Sequence, residues 1–200
     1  RISIKSGDNA YDVALPALAG SISNAAEGLF YNLNDIDTLR LESPWWDQNA
    51  NKTLSIMNKL YFTSGDMLIL NNDSTGALVF NKQLVEDWGV ENPYELVRDG
   101  KWTLDKLYEQ ISQFGMDLNN DGVMNGKDQY GLMLYADVQH CFYHGAGMDY
   151  GTKDAEDIPV MSYDTEKSIE VLTRIFEIMN DKSITYSLHT AYSEFGGSAF

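Results

Sequence analysis

The sequence predicts an α/β fold, on three observations. Short apolar runs bounded by turn formers alternate with segments whose apolar residues recur at helical spacing. Cap residues such as Thr103 stand just before those helical segments. The 200 residues are 44% hydrophobic and 12% aromatic, enough to bury one large core or two small ones.

Taken in order, Tyr11–Leu15 (YDVAL) is a short apolar run ending at Pro16, the pattern of a buried parallel strand. The small-residue loop Ala17-Leu18-Ala19-Gly20 follows, then a helix from Ser21 or Ser23 to Leu29. Strand, loop and helix in that order put loop backbone at the carboxyl edge of a sheet, where open α/β folds hold ligands. An ordinary βα turn is the plainer alternative. Ser43-Pro44 reads as a cap with proline at the first helical position, which places Trp45 and Trp46 in the first turn. Strand-like stretches then flank Thr63-Ser64-Gly65-Asp66, and the polar run 71–75 leads into a strand at Ala77–Phe80.

Helices are predicted at Lys82–Trp88, closed by Gly89, and at Thr103–Phe114, where Leu104, Leu107, Ile111 and Phe114 share a face. Tyr130–Tyr135 (YGLMLY) reads as a strand. The longest helix spans Asp164–Asn180, with Ile169, Leu172, Ile175, Phe176 and Met179 on one face.

The charge balance, 30 acidic against 14 basic residues and net −16, excludes a nucleic-acid binder, because no basic stripe is present to neutralise phosphates. It suits cations, neutral solutes and an extracellular setting. No apolar run approaches the about 20 residues that span a bilayer, so direct membrane insertion is not expected. The first residue is Arg1 rather than Met and the sequence carries no signal-peptide pattern, as expected of a mature or trimmed chain. With Cys141 alone, no intramolecular disulfide can form.

The run from Asp117 to Asp128 (DLNNDGVMNGKD) fits the twelve-residue calcium loop of EF-hands. Asp117, Asn119, Asp121, Asn125 and Asp128 supply side-chain oxygens at alternating positions, and Val123 would add its carbonyl. Gly122 stands where the chain must turn sharply. The last place holds Asp128 rather than glutamate, as in dockerin-type loops, and a strand rather than a second helix follows. A structural Ca2+ is therefore expected rather than a switch; a polar loop that binds nothing tightly is the alternative.

Adjacent indoles beside carboxylate and amide groups, as in Trp45-Trp46-Asp47-Gln48, suit a ligand that is apolar on its faces and wet on its edges, such as a sugar. Packing of at least one tryptophan, and helix-end stabilisation by Asp47, are the structural alternatives. His140 and His144, with Cys141 adjacent, have spacing compatible with a metal on a helix, but nothing else in the sequence supports a zinc site.

The order PWWDQ, KLYFTSGD, a polar hinge, ALVFNKQLVEDWGVENPYELV and GKWTLDKL resembles the carbohydrate-type extracellular solute-binding proteins of ABC importers, the maltose-binding-protein-like family. The resemblance implies a periplasmic-binding-protein-like type II two-lobe fold, of which this chain would be an internal piece. It implies a first lobe over 1–74 and a second over 75–200. Asn72, Asp73 and Ser74 then fall at the inter-lobe hinge and line the cleft, while Tyr143 and His144 follow a strand whose loop faces the sugar. The implied protein is a monomeric, surface-anchored lipoprotein or periplasmic receptor. It captures a carbohydrate between the lobes and hands it to a membrane permease, without catalysis. Two rivals remain at this point: a glycoside hydrolase with paired carboxylates, which no spacing singles out, and a calcium-dependent dockerin-like module, which normally carries duplicated loops.

Overall fold

In the computed structural model, residues 1–8, 10–15, 18–69 and 75–196 are described, apart from the side chains of Leu18 and Ala19. The chain is mixed α/β with small sheets, and among the described residues no helix is long and apolar enough to cross a membrane. It divides into two compact units, one of Arg1–Thr75 with Lys153–Val160, the other of Gly76–Thr152 with Met161–Phe200.

The first unit holds α1 (Ile2–Ser6), α2 (Leu18–Ala26) and α3 (Gln48–Leu54), joined by loops and single-turn 3₁₀ segments. Its core is thin: Ala25 and Leu60 are its buried apolar residues among those described. Polar contacts therefore carry much of its organisation. Asn32 Oδ1 accepts the Asn34 and Leu60 amides, and the Leu33 amide donates to the Leu60 carbonyl. Lys153 donates to the carbonyls of Lys52 and Ser55, to Ser55 Oγ and to Asp157 Oδ1, all within 2.8 Å. Asp157 in turn accepts the Asn58 amide and the Ser55 hydroxyl. That ammonium contact is the chief reason the Asp157 carboxyl is held below its ordinary range.

The second unit holds α4 (Lys82–Asp87), α5 (Pro93–Arg98), α6 (Leu104–Ile111), α7 (Gln139–Gly145), α8 (Glu166–Asn180) and α9 (Leu188–Phe195). Strands β1 (Leu132–Leu134) and β4 (Thr185–Ser187) pair in parallel, with Leu132 opposite Thr185. Strands β2 (Gly151–Lys153) and β3 (Pro159–Met161) form a separate short pair at the ends of the Lys153–Val160 segment, which belongs to the first unit. The caps are those the residue types favour: Asn81, Asn92, Thr103 and Thr165 each accept an amide of the following first turn. Leu107, Ile111, Leu132, Leu134, Ile178 and Ile184 make one buried cluster, and Tyr143, Val171 and Ile175 another. Gly131 allows β1 to lie against α6, since a Cβ there would overlap the Ile111 backbone.

Two expectations are corrected. Tyr11–Leu15 and Ala77–Phe80 are not strands; Val13 and Val79 are among the most exposed apolar residues, and neither run has a ladder partner among the described residues. A run of apolar side chains becomes a strand only where neighbouring backbone satisfies its amides. Ser43-Pro44 does not start a helix. Asp47 caps α3 instead, through the Ala50 amide at 2.9 Å, because the two tryptophans ahead of it are bound to another backbone segment. The inner face of α8 is Ser168, Val171, Ile175 and Ile178, while Ile169 and Phe176 face outward. Both stripes have helical spacing, and the one containing Ser168 is buried because that hydroxyl has a partner in Tyr143.

Candidate functional site

In the first unit, Trp46 and Gly65 form an isolated antiparallel bridge. The Asp66 amide donates to the Trp45 carbonyl and the Asp47 amide to the Ser64 carbonyl, both at 2.9 Å. Gly65 is required there, because a Cβ would overlap the Trp45 carbonyl oxygen. Gln48 fixes the loop from the other side, its Nε2 donating to the carbonyls of Leu41, Ser43 and Trp46. Trp46 is half-buried and donates its Nε1–H to the Leu39 carbonyl at 2.9 Å. Trp45 stays 41% exposed. The Arg40 guanidinium carbon lies 5.1 Å from the centre of its ring, a cation–π geometry that steadies the indole. Arg40 also borders a depression of about 320 Å³ lined by Leu33, Asn34, Ile36, Asp37, Leu41 and Glu42. Of the residues expected to touch sugar, Trp45 is thus presented, Trp46 is engaged in packing, and Asp47 is a helix cap. Asn72, Asp73 and Ser74 lie outside the described residues.

The second unit corrects the expectation for Tyr143. It lies in α7, not in a loop, and is wholly buried. Its hydroxyl shares a 2.8 Å hydrogen bond with Ser168 Oγ, which also receives the Thr165 hydroxyl, and its ring stacks on Tyr150 with centroids 4.5 Å apart. Helical geometry turns this side chain into the core, so it has no free face for a ligand. His144, one residue on, is exposed, with Nδ1 2.9 Å from the Met148 carbonyl and 3.4 Å from Asp149 Oδ1.

A different aromatic group stands at the carboxyl ends of the parallel pair β1 and β4. Tyr135 follows β1 directly; His189 and Tyr192 lie in α9, which follows β4. The Tyr135 and Tyr192 hydroxyls are 3.1 Å apart and their rings stack at 6.2 Å. The His189 ring meets Tyr135 edge-on at 5.6 Å. The Tyr192 contact, followed by burial, raises the Tyr135 pKa. His189 and Tyr192 are exposed and Tyr135 is half-buried, so the group offers ring faces and hydroxyls together, at the edge where open parallel sheets bind ligands. The end of the YGLMLY run pointed to Tyr135; nothing in the sequence paired it with residues more than fifty positions away.

The loop from Asp117 to Asp128 wraps its backbone around its own oxygens. Asp117 accepts the Asn120 and Gly122 amides at 2.7 and 2.8 Å, and Asp128 accepts those of Leu118 and Asn125 at 3.1 and 2.8 Å. Asn119 Oδ1 accepts the Asp121 amide, Asp121 Oδ1 the Val123 amide, and Asn125 Oδ1 the Lys127 amide. Asn125 Nδ2 donates to the Val123 carbonyl. Asn120 and Gly122 supply the left-handed turns, at φ 57° and 79°. Reciprocal bonds between Met116 and Gln129 close the neck. Among the described residues no three His, Cys, Asp or Glu side chains gather into a metal cluster. The donors in this loop are mixed, three carboxylates with two side-chain amides and one peptide carbonyl, a hard-oxygen chemistry that fits calcium.

No family model matches the chain, and no curated protein and no solved structure is significantly similar to it.

Proposed function

We propose that this chain is part of the extracellular substrate-binding component of an ABC importer, which captures a carbohydrate, an oligosaccharide above all, and delivers it to a membrane permease without cutting it. The observation that carries the reading is the exposed, braced indole of Trp45 inside PWWDQ, the first of the motifs on which the family resemblance rests. A rigid ring already fixed on one side loses little freedom when a pyranose packs its C–H face on the other. In the second unit, Tyr135, His189 and Tyr192 take the part expected of Tyr143, offering stacking surface with hydroxyl and imidazole groups at its rim. The loop from Asp117 to Asp128 holds a structural Ca2+ in this reading, which Asp117, Asn119, Asp121, Val123, Asn125 and Asp128 would ligate through oxygen. The type II two-lobe architecture and surface anchoring belong to the same proposal and rest on the resemblance.

Calorimetric titration with glucose, maltotriose, cellotriose and xylotriose tests it. At least one oligosaccharide should bind stoichiometrically, and Trp45→Ala should weaken it about tenfold, which corresponds to about 1.4 kcal/mol. Absence of binding across the panel would remove the sugar reading; release of new reducing ends during incubation would replace it with a hydrolase.

A further inference from the structure

The aromatic edge of the second unit is tethered by one carboxylate that does not belong to it. Glu194 stands in the last turn of α9, and its Oε2 accepts the Gly126 amide at 3.0 Å and the Tyr186 hydroxyl at 2.6 Å. The Tyr186 ring stacks on Tyr130 at 4.7 Å, which fixes the donor. Gly126 approaches the same turn so closely that a Cβ would overlap the Phe195 ring. Apolar packing fixes α9 weakly, because Ala191 is its one buried residue. The orientation of the helix therefore depends on polar contacts near its ends. His189 and Tyr192, three positions apart, share a face, whereas Glu194 projects about 200° away from Tyr192. Glu194 therefore lies off the face that carries the two rings.

We propose that Glu194 is a positioning residue, tying α9 to the loop at Gly126 and to Tyr186 so that Tyr192 and His189 keep their spacing from Tyr135 for ring capture. This rests on the reading of that edge as a carbohydrate surface. A second handle exists on the other side of the contact: a Cβ at Gly126 would meet the Glu194 carboxylate and the Phe195 ring, so Gly126→Ala should displace that carboxylate and act in the same direction as Glu194→Ala.

The test compares the wild type with both variants in calorimetric titrations of the same four sugars, beside thermal melts and ¹⁹F spectra of protein carrying 3-fluorotyrosine. Loss of two hydrogen bonds to one carboxylate should weaken the bound sugar by about threefold to tenfold. The melting midpoint should fall by roughly 2–8 °C and stay well above the titration temperature, and the Tyr135 and Tyr192 resonances, assigned by Tyr→Phe replacement, should shift in both variants. Unshifted resonances would overturn the role of Glu194 whatever the sugar result. So would an affinity loss fully accounted for by the fraction of variant unfolded at the titration temperature. A wild type that binds no sugar, with resonances that do shift in the variants, would refute the carbohydrate surface and leave the positioning role standing.

Discussion

Gly65→Ala should displace Trp45 through a single methyl group. Gly65 is not one of the glycines at positive φ, so alanine is conformationally acceptable and the whole penalty is contact. The added Cβ would overlap the Trp45 carbonyl oxygen and lie 3.1 Å from Trp46 Cα and 3.2 Å from the Trp45 carbonyl carbon. All three are backbone atoms, which cannot rotate aside. The two segments must then part by on the order of 1 Å, enough to open a well-formed hydrogen bond. The bonds at stake are Asp66 to Trp45 and Asp47 to Ser64. Each contributes about 0.5–1.5 kcal/mol net, and the stiffer unfolded chain returns up to about 1 kcal/mol. The balance is a destabilisation of about 1–2 kcal/mol, which for a chain of this size lowers the melting midpoint by roughly 2–8 °C. Thermal melts followed by circular dichroism read it directly, with sugar titration as the companion measurement. A midpoint unchanged within about 1 °C, together with unaltered sugar affinity, would refute the claim that this close approach holds the indole.

The remaining predictions concern the core, the clasp and the loop. Tyr143→Phe should cost about 1 kcal/mol in urea denaturation, for the lost bond to Ser168, and leave sugar affinity untouched; a large affinity loss at full stability would restore Tyr143 to the ligand surface. Because Lys153 above all depresses the Asp157 pKa, that carboxylate adds stability that is present above the unfolded pKa, about 3.9, and is lost as pH falls through the lower folded value. The difference in stability between wild type and Asp157→Asn should therefore narrow on acidification, and a gap that stayed constant would refute the linkage. Saturating calcium should raise the melting midpoint over chelator, and Asp117→Ala should abolish the increment; equal midpoints for the wild type would dismiss the ion.

What the sequence made legible follows from how local each signal is. The cap at Thr103 and the apolar repeat behind it are contained within one helix, and α6 starts as those signals say, while α8 starts at Glu166, two residues inside the expected Asp164. The strand in YGLMLY was legible from its run of apolar and aromatic residues, although it forms only where β4 supplies a parallel partner. The apolar runs at 11–15 and 77–80 misled because strand formation depends on partners elsewhere, and those side chains are exposed. Trp45 and Trp46 were read as neighbours in a helical turn, but a glycine twenty residues on draws their backbone into a bridge instead. Tyr143 was legible as an aromatic near a strand end, not as the partner of Ser168, whose position in α8 decides that the ring turns inward. The Tyr135, His189 and Tyr192 group needed the pairing of β1 with β4, whose three-residue strands are too short to show a period of two.

The clasp at Lys153 has a practical consequence. An ammonium group with three protons, already shared among two carbonyls, a hydroxyl and a carboxylate, has no lone pair to spare for an acylating reagent. In amine footprinting with an activated ester, Lys153 should label last among the lysines of its unit, and at the rate at which α3 and the 153–160 segment come apart. The side chain thereby doubles as a built-in clock for local opening, readable by mass spectrometry without any introduced probe.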